Sequence, residues 1–249
     1  RPATRHSIEP SVNPDSRSHE PSMSTPQALL ERIKAYPEMG EGHTRLVVIL
    51  SQLGDFDSLE YADALVKSWD KIASSSIRVH AIGIGNDNSA DRFCTFTGFP
   101  RKHLSTEPNA DLHHDLGLYR GFNSAGGPWT NLLLMCAGLG SPGTLKEVMR
   151  GYTGDRSAPS RLSNSLFDLA GKNFQRPFEL ATVRLNNMVE VLGRWGTYVP
   201  DQRYLCQRGG TYLIDENDEL LYYHQDKGIL GFSETMAQPL HFLDAYLNS

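Results

Sequence analysis

Three thiols, two adjacent histidines and an early cluster of acids and hydroxyls are the side chains of this chain that could carry chemistry. Cys94, Cys136 and Cys206 are an odd number, without a Cys-x-x-Cys pair or zinc-ligand spacing. That pattern argues against a disulfide framework and against a zinc site, and it suits a reducing compartment. Cys94 has Phe93, Phe96 and Phe99 for neighbours and Cys136 closes the run LLLMC, so both read as small buried hydrophobes, with a reactive thiol the alternative at Cys94. Cys206 is the thiol best placed for residual redox work. His113 and His114 are consecutive, and helix neighbours point about 100° apart, so they cannot close on one metal and read as surface histidines. Gly83-Ile84-Gly85 follows an apolar stretch, but Asn88 stands where a dinucleotide loop needs its third glycine. Neither a metal nor a cofactor is expected. Asp57 with Glu60 three residues on has the pattern of a capping box, so capping alone accounts for the Asp55 to Ser58 stretch unless it also lines a binding groove.

The elements that would position these groups follow from hydrophobic spacing. Residues 28–36 form an amphipathic helix, and the continuous apolar run from Arg45 to Leu50 is a strand buried on both faces. Leu59, Ala62, Leu65, Val66, Trp69 and Ile72 keep helical spacing, and Ile77 to Ile84 makes a second strand, completing a βαβ unit. A helix opens at Ser89 and ends at Gly98, and another from Pro108 stops at Gly117. Residues 119–205 break the rhythm with helices near 129–137, 142–150 and 178–192 and read as an insertion. Thr211–Asp215 and Leu220–His224 are a β-hairpin, and Ser233 to Leu247 is a terminal helix disturbed near Pro239.

The chain has 249 residues, 39% hydrophobic and 21% charged, enough for one large domain with an insertion. Its formal charge of −5 offers no basic footprint for nucleic acid. Runs such as 46–50 and 132–136 are far shorter than the roughly 20 residues of a membrane span, so membrane contact is peripheral at most. Residues 1–27 are rich in Ser, Pro, Arg and His and should not pack alone, so an extended tail ordered by its own domain or, the favoured reading, by a partner is expected. Their character suits a processed organelle-targeting region, although Glu9, Asp15 and Glu20 run against its acid-poor habit.

The succession LVVILSQLGDFDSLEYA, VHAIGIG, RFCTFTGFP, DLHHDLGLYRGF and QRGGTYLIDENDELLYYHQDKGI resembles the peroxiredoxin-like branch of the alkyl hydroperoxide reductase and thiol-specific antioxidant superfamily over most of residues 45–248. LATVRLNNM and GILGFSETM are similar to cyanobacterial and plastid versions. The resemblance implies an α/β thioredoxin-like fold over 28–248, a central mixed sheet flanked by helices, with the 119–205 insertion before the C-terminal hairpin. In redox-active relatives a cysteine sits where the first strand turns into the first helix, its thiolate favoured by backbone N–H groups and the helix end. Laid on that pattern, Asp55 and Ser58 hold the cysteine positions, and neither has a thiol's redox couple. Gly210 stands where the fold commonly has a cis-proline. Gly54, Asp55, Ser58, Arg208, Gly209, Gly210 and Thr211 would then line a surviving groove, with Arg208 meeting an anion or the Asp55 and Asp57 carboxylates.

The resemblance implies a non-catalytic binding or scaffold protein of the chloroplast stroma or stromal thylakoid surface. It would dock on a large complex, with a photosystem assembly the natural candidate, through its tail and through Trp129, Tyr152 and Arg156 of the insertion. The alternative is a single-cysteine thiol peroxidase or oxidoreductase using Cys94 or Cys206. Arg184, flanked by apolar residues, is expected to pair with a carboxylate such as Glu179 or Glu190.

Overall fold

The computed structural model describes residues 23–153 and 172–247. The tail up to residue 22 and Arg156 lie outside the described residues. Six strands form one mixed sheet in the order β1-β6-β5-β2-β3-β4. The strands are β1 (Met23–Ser24), β2 (Arg45–Gln52), β3 (Arg78–Ile84), β4 (Leu104–Glu107), β5 (Gly210–Ile214) and β6 (Glu219–Gln225). β2, β3 and β4 run parallel, and β5 pairs antiparallel with both β2 and β6. This is the mixed, helix-flanked sheet of a thioredoxin-like fold.

All eight residues of β2 are buried, and strand alternation divides them between two cores. Leu46, Val48 and Leu50 join Leu59, Ala62 and Leu65 of α2 (Phe56–Lys67) and Phe93 of α4 (Asp87–Thr97). Val47 and Ile49 point the other way, onto Leu29 and Ile33 of α1 (Gln27–Ile33) and Leu112 of α5 (Asp111–Asp115). A short α3 (Trp69–Ala73) follows α2 before β3. Two stop signals behave as their chemistry requires, since Gly98 and Gly117 end their helices at φ of 76° and 66°.

The middle of the chain adds helices α6 (Gly127–Cys136), α7 (Thr144–Thr153), α8 (Lys172–Gly193) and α9 (Trp195–Tyr198) ahead of the hairpin. The chain end corrects the expectation of a helix over Ser233–Leu247. The backbone there runs through turns and a 3-10 turn at His241–Leu243, and only α10 (Asp244–Leu247) is helical. Pro239 lacks an N–H, and the buried Phe232, Met236 and Leu243 satisfy the core from an irregular chain.

Candidate functional site

The site grows from the end of β2. The β2–β3 register shifts between Ile49 and Gln52, and such irregularities re-aim a strand next to a site. The chain then turns at Gly54 into α2. A side chain at Gly54 would collide with Cβ of Tyr198 at 2.9 Å and Cγ2 of Val199 at 2.8 Å, so α9 roofs the corner tightly. Asp55 is the N-cap of α2, its Oδ1 accepting from the Asp57 backbone N–H at 3.2 Å. That corrects the expected capping box, because Asp57 and Glu60 are committed to arginines instead.

Arg208, on the segment entering β5, is fully buried and reaches across to the corner. Its Nη1 donates to Asp57 Oδ2 at 3.0 Å and its Nη2 stands 2.5 Å from Asp55 Oδ2. Nε donates to the Cys206 carbonyl at 3.2 Å and Nη2 to the Leu205 carbonyl at 3.1 Å. The planar fork of a guanidinium suits this multiple seat, which an ammonium could not fill. A third acid closes the cluster. Asp226, just past β6 and 2% exposed, takes the Gly228 N–H on Oδ1 at 3.1 Å and lies within the field of Arg208.

Three carboxylates around one guanidinium carry surplus negative charge, and protons make up the difference. Burial raises the Asp57 pKa well above the carboxylate range, with Asp55 adding to it and Arg208 opposing. Burial likewise pushes Asp226 up to about 8, against Arg208 and the Gly228 N–H. Burial works against the charge of Arg208, yet Asp55, Asp57 and Asp226 outweigh it and raise its pKa. The corner therefore keeps Arg208 charged while burial favours the neutral forms of Asp57 and Asp226.

Of the residues expected to line a groove, Ser58, Arg208 and Thr211 are buried, and Thr211 Oγ1 donates to Tyr61 Oη at 3.3 Å. The close approach that the glycines allow is made by the chain's own atoms. A side chain at Gly209 would meet the Ile49 carbonyl and the Phe232 ring, and one at Gly210 would meet the His224 carbonyl and Leu118. Arg208 meets the carboxylates.

No cysteine occupies the turn from Gly54 to Ser58, although Cys206 and Cys136 lie within the field of Asp55 and Arg208. Burial pushes Cys94 up to about 11, with Arg101 opposing. Cys206 is buried, its Sγ donating to the Pro128 carbonyl at 3.6 Å; burial raises its pKa, Arg208 opposes and Asp55 adds. Cys136 is exposed rather than in the core, since α6 turns Asn131 and Met135 inward and the next residue points about 100° away. Partial burial of its thiol, together with Asp55, raises its pKa as well. His113 also departs from expectation. It is buried, its Nε2 is 2.8 Å from the Leu50 carbonyl, and burial lowers its pKa to about 4. Among the described residues no three His, Cys, Asp or Glu side chains are disposed to hold a metal ion.

A second buried charge group ties the helices of the middle segment to α2. Glu60, 1% exposed, receives Arg150 Nη2 at 3.3 Å and Arg184 Nη2 at 3.4 Å, and Arg184 Nη1 donates to the Glu147 carbonyl at 2.8 Å. Glu190, an expected partner of Arg184, is six residues on and faces another way, toward Arg92 and Arg194. Beyond this group the helices expose Leu133 (66%), Leu145 (57%), Met149 (55%), Leu185 (52%) and Val189 (63%). Phe56, Val148, Leu185, Met188 and Leu230 line a groove of about 350 Å³ beside Arg184. Trp129 is 44% exposed, stacked on Trp195 with centroids 4.9 Å apart, and its Nε1 donates to Gln202 Oε1 at 3.0 Å. Tyr152 belongs to α7 by its backbone. No described helix is long and apolar enough to cross a membrane.

Asp226 is the member of the corner that sequence reading does not anticipate. It follows a strand and precedes Lys227-Gly228, the pattern of an ordinary turn acid, and only the β5–β6 pairing carries it to Arg208.

A family model described as AhpC/TSA antioxidant enzyme matches residues 64–228, well over half of the chain. The match begins inside α2, so Asp55 and Asp57 lie just ahead of it, whereas Arg208 and Asp226 fall within it. No curated protein matches the chain.

Proposed function

The chain belongs to the AhpC/TSA antioxidant enzyme family, and from that premise we propose that this member binds a protein partner and does not turn over peroxide. The observation that carries the reading is the corner itself. A buried Asp55–Asp57–Arg208–Asp226 cluster fills the strand-to-helix turn where the resemblance puts the family's thiolate, and burial raises the pKa of all three thiols. Peroxide is attacked by a thiolate, so thiols whose pKa burial raises are poor nucleophiles.

The exposed apolar residues of α6, α7 and α8 support docking, because a cluster of large exposed hydrophobes next to a groove is the usual mark of an interaction face. Trp129, on the same helix as Leu133, fits the aromatic anchor that such faces use. The likeness to plastid versions makes a complex at the stromal surface of the thylakoid the partner to test first, with the N-terminal tail as a second point of attachment.

The test has two arms. Reduced protein is treated with hydrogen peroxide and labelled for sulfenic acid, with Cys94→Ser and Cys206→Ser as controls. No rapid single-site labelling is expected, and fast labelling confined to Cys206 or Cys94 would establish the thiol-peroxidase reading instead. In parallel, co-migration with thylakoid complexes on native gels is compared between the full chain, a chain lacking residues 1–27 and Leu145→Asp/Leu185→Asp. Loss of co-migration in either variant is expected; its absence in the full chain refutes docking on such a complex.

A further inference from the structure

A cleft of about 250 Å³ lies between the segment from His114 to Asn123, the start of α6 and the segment Arg203–Gln207. Its lining includes Arg120, Arg203 and His114 and not one carboxylate, in a chain whose net charge is −5. Arg120 is exposed and has no hydrogen bond or ion pair among the described residues. Asp201 stands outside the lining and holds Arg203 through Nε at 2.9 Å and Nη2 at 2.6 Å, fixing the guanidinium and leaving Nη1 uncommitted among the described residues. The buried Gln207 side chain forms part of the wall, anchored by its Nε2 to the Tyr119 carbonyl at 3.1 Å and the Arg208 carbonyl at 3.0 Å.

The backbone is shaped to keep this cleft. Gly121 has φ of 84°, and any side chain there would run into Cys206, so the two walls approach only because the residue is glycine. Gly127, φ 82°, turns the chain into α6 with open space beside it. The first turn of α6 contains no acid, so nothing there opposes the two arginines.

We propose that this cleft binds a small phosphate monoester. Guanidinium groups are the side chains best matched to phosphate oxygens, and Arg120, with Arg203 held in place by Asp201 beside it, faces a lining without acids and favours a dianion over a monocarboxylate. The volume leaves room for an organic group against Phe122, which also lines the cleft. The cleft shares the start of α6 with the proposed docking face, but its lining includes none of the exposed leucines there, so the two are tested by different variants.

Phenyl phosphate serves as the probe, titrated calorimetrically into the full chain. Arg120→Ala, at an exposed position, is expected to keep the native melting temperature while weakening binding about tenfold or more, the scale of losing one charge-assisted contact. Arg203→Ala weakens it too, and benzoate binds at least about tenfold less well than phenyl phosphate. Bound probe also slows alkylation of Cys206, which lines the cleft, without changing that of Cys94. Absence of binding, or equal binding to the native, Arg120→Ala and Arg203→Ala chains, overturns the assignment. Tighter binding of inorganic phosphate than of phenyl phosphate overturns the monoester in favour of the free ion.

Discussion

The strand-to-helix corner and the helical segment beside it handle polar and apolar groups in opposite ways. At the corner, Arg208 is completely buried and every one of its neighbours is supplied by the chain: two carboxylates, two carbonyls and a third acid in its field. On α6, α7 and α8, leucines that would ordinarily be inside stand more than half exposed. The first region spends its chemistry on itself, whereas the second leaves its surface unfinished. That inversion is the contrast on which the proposed recognition by the helices and the neighbouring cleft rests.

The largest effect that could break the comparison comes from removing the charge at the centre of the corner. Arg208→Met leaves buried carboxylates with no counter-charge, and breaking a buried pair from one side costs about 3–5 kcal/mol. Urea unfolding at pH 7 measures it, and a loss below about 1 kcal/mol, the range of exposed pairs, would mean that the cluster is not closed.

A smaller effect is read in the pH dependence. The folded chain holds a proton on Asp226 up to about pH 8, whereas an unfolded Asp releases it near 3.9. Stability from this group is therefore fully present below pH 4 and is lost as pH rises toward 8. His80 and His113, whose pKa values burial lowers to about 4, slope the other way and gain stability up to about pH 6.5. Between pH 6.5 and 8 the acid dominates, with a slope of about 1.4 kcal/mol per pH unit for each proton retained. Asp226→Asn should flatten that limb, and an unchanged slope would assign the proton elsewhere.

The smallest effect sharpens the other side. Leu185→Ser on the exposed face should change stability by no more than about 0.5 kcal/mol, as surface substitutions do. A loss several times larger in the same urea titration would mean that the leucine is held by packing and is not available to a partner.

The sheet was legible because β2 and β3 are unbroken apolar runs and the hairpin carries its turn residues. β4 escaped notice, as Leu-Ser-Thr-Glu is too short and polar to mark a strand outside its pairing with β3. The terminal helix misled for the reverse reason, with apolar spacing present and the backbone unable to follow it past Pro239. In the site, the Arg208 contacts followed from aligning one corner with one loop. The Glu60 seat of Arg184 rests on a tertiary pairing across 124 residues that leaves no local trace, and Asp226 reaches Arg208 only once β5 and β6 have paired.

Cys206 offers the sharpest single test, because it is the thiol nearest to the arginine that would have to activate it. The rate of its alkylation by iodoacetamide, resolved from Cys94 and Cys136 by mass spectrometry, is followed from pH 5 to 10 in the folded protein. The account predicts a midpoint above the free-thiol value of about 8.5. A midpoint below 7 would mean that Arg208 stabilises a thiolate despite its carboxylates, and the closed corner would be contradicted.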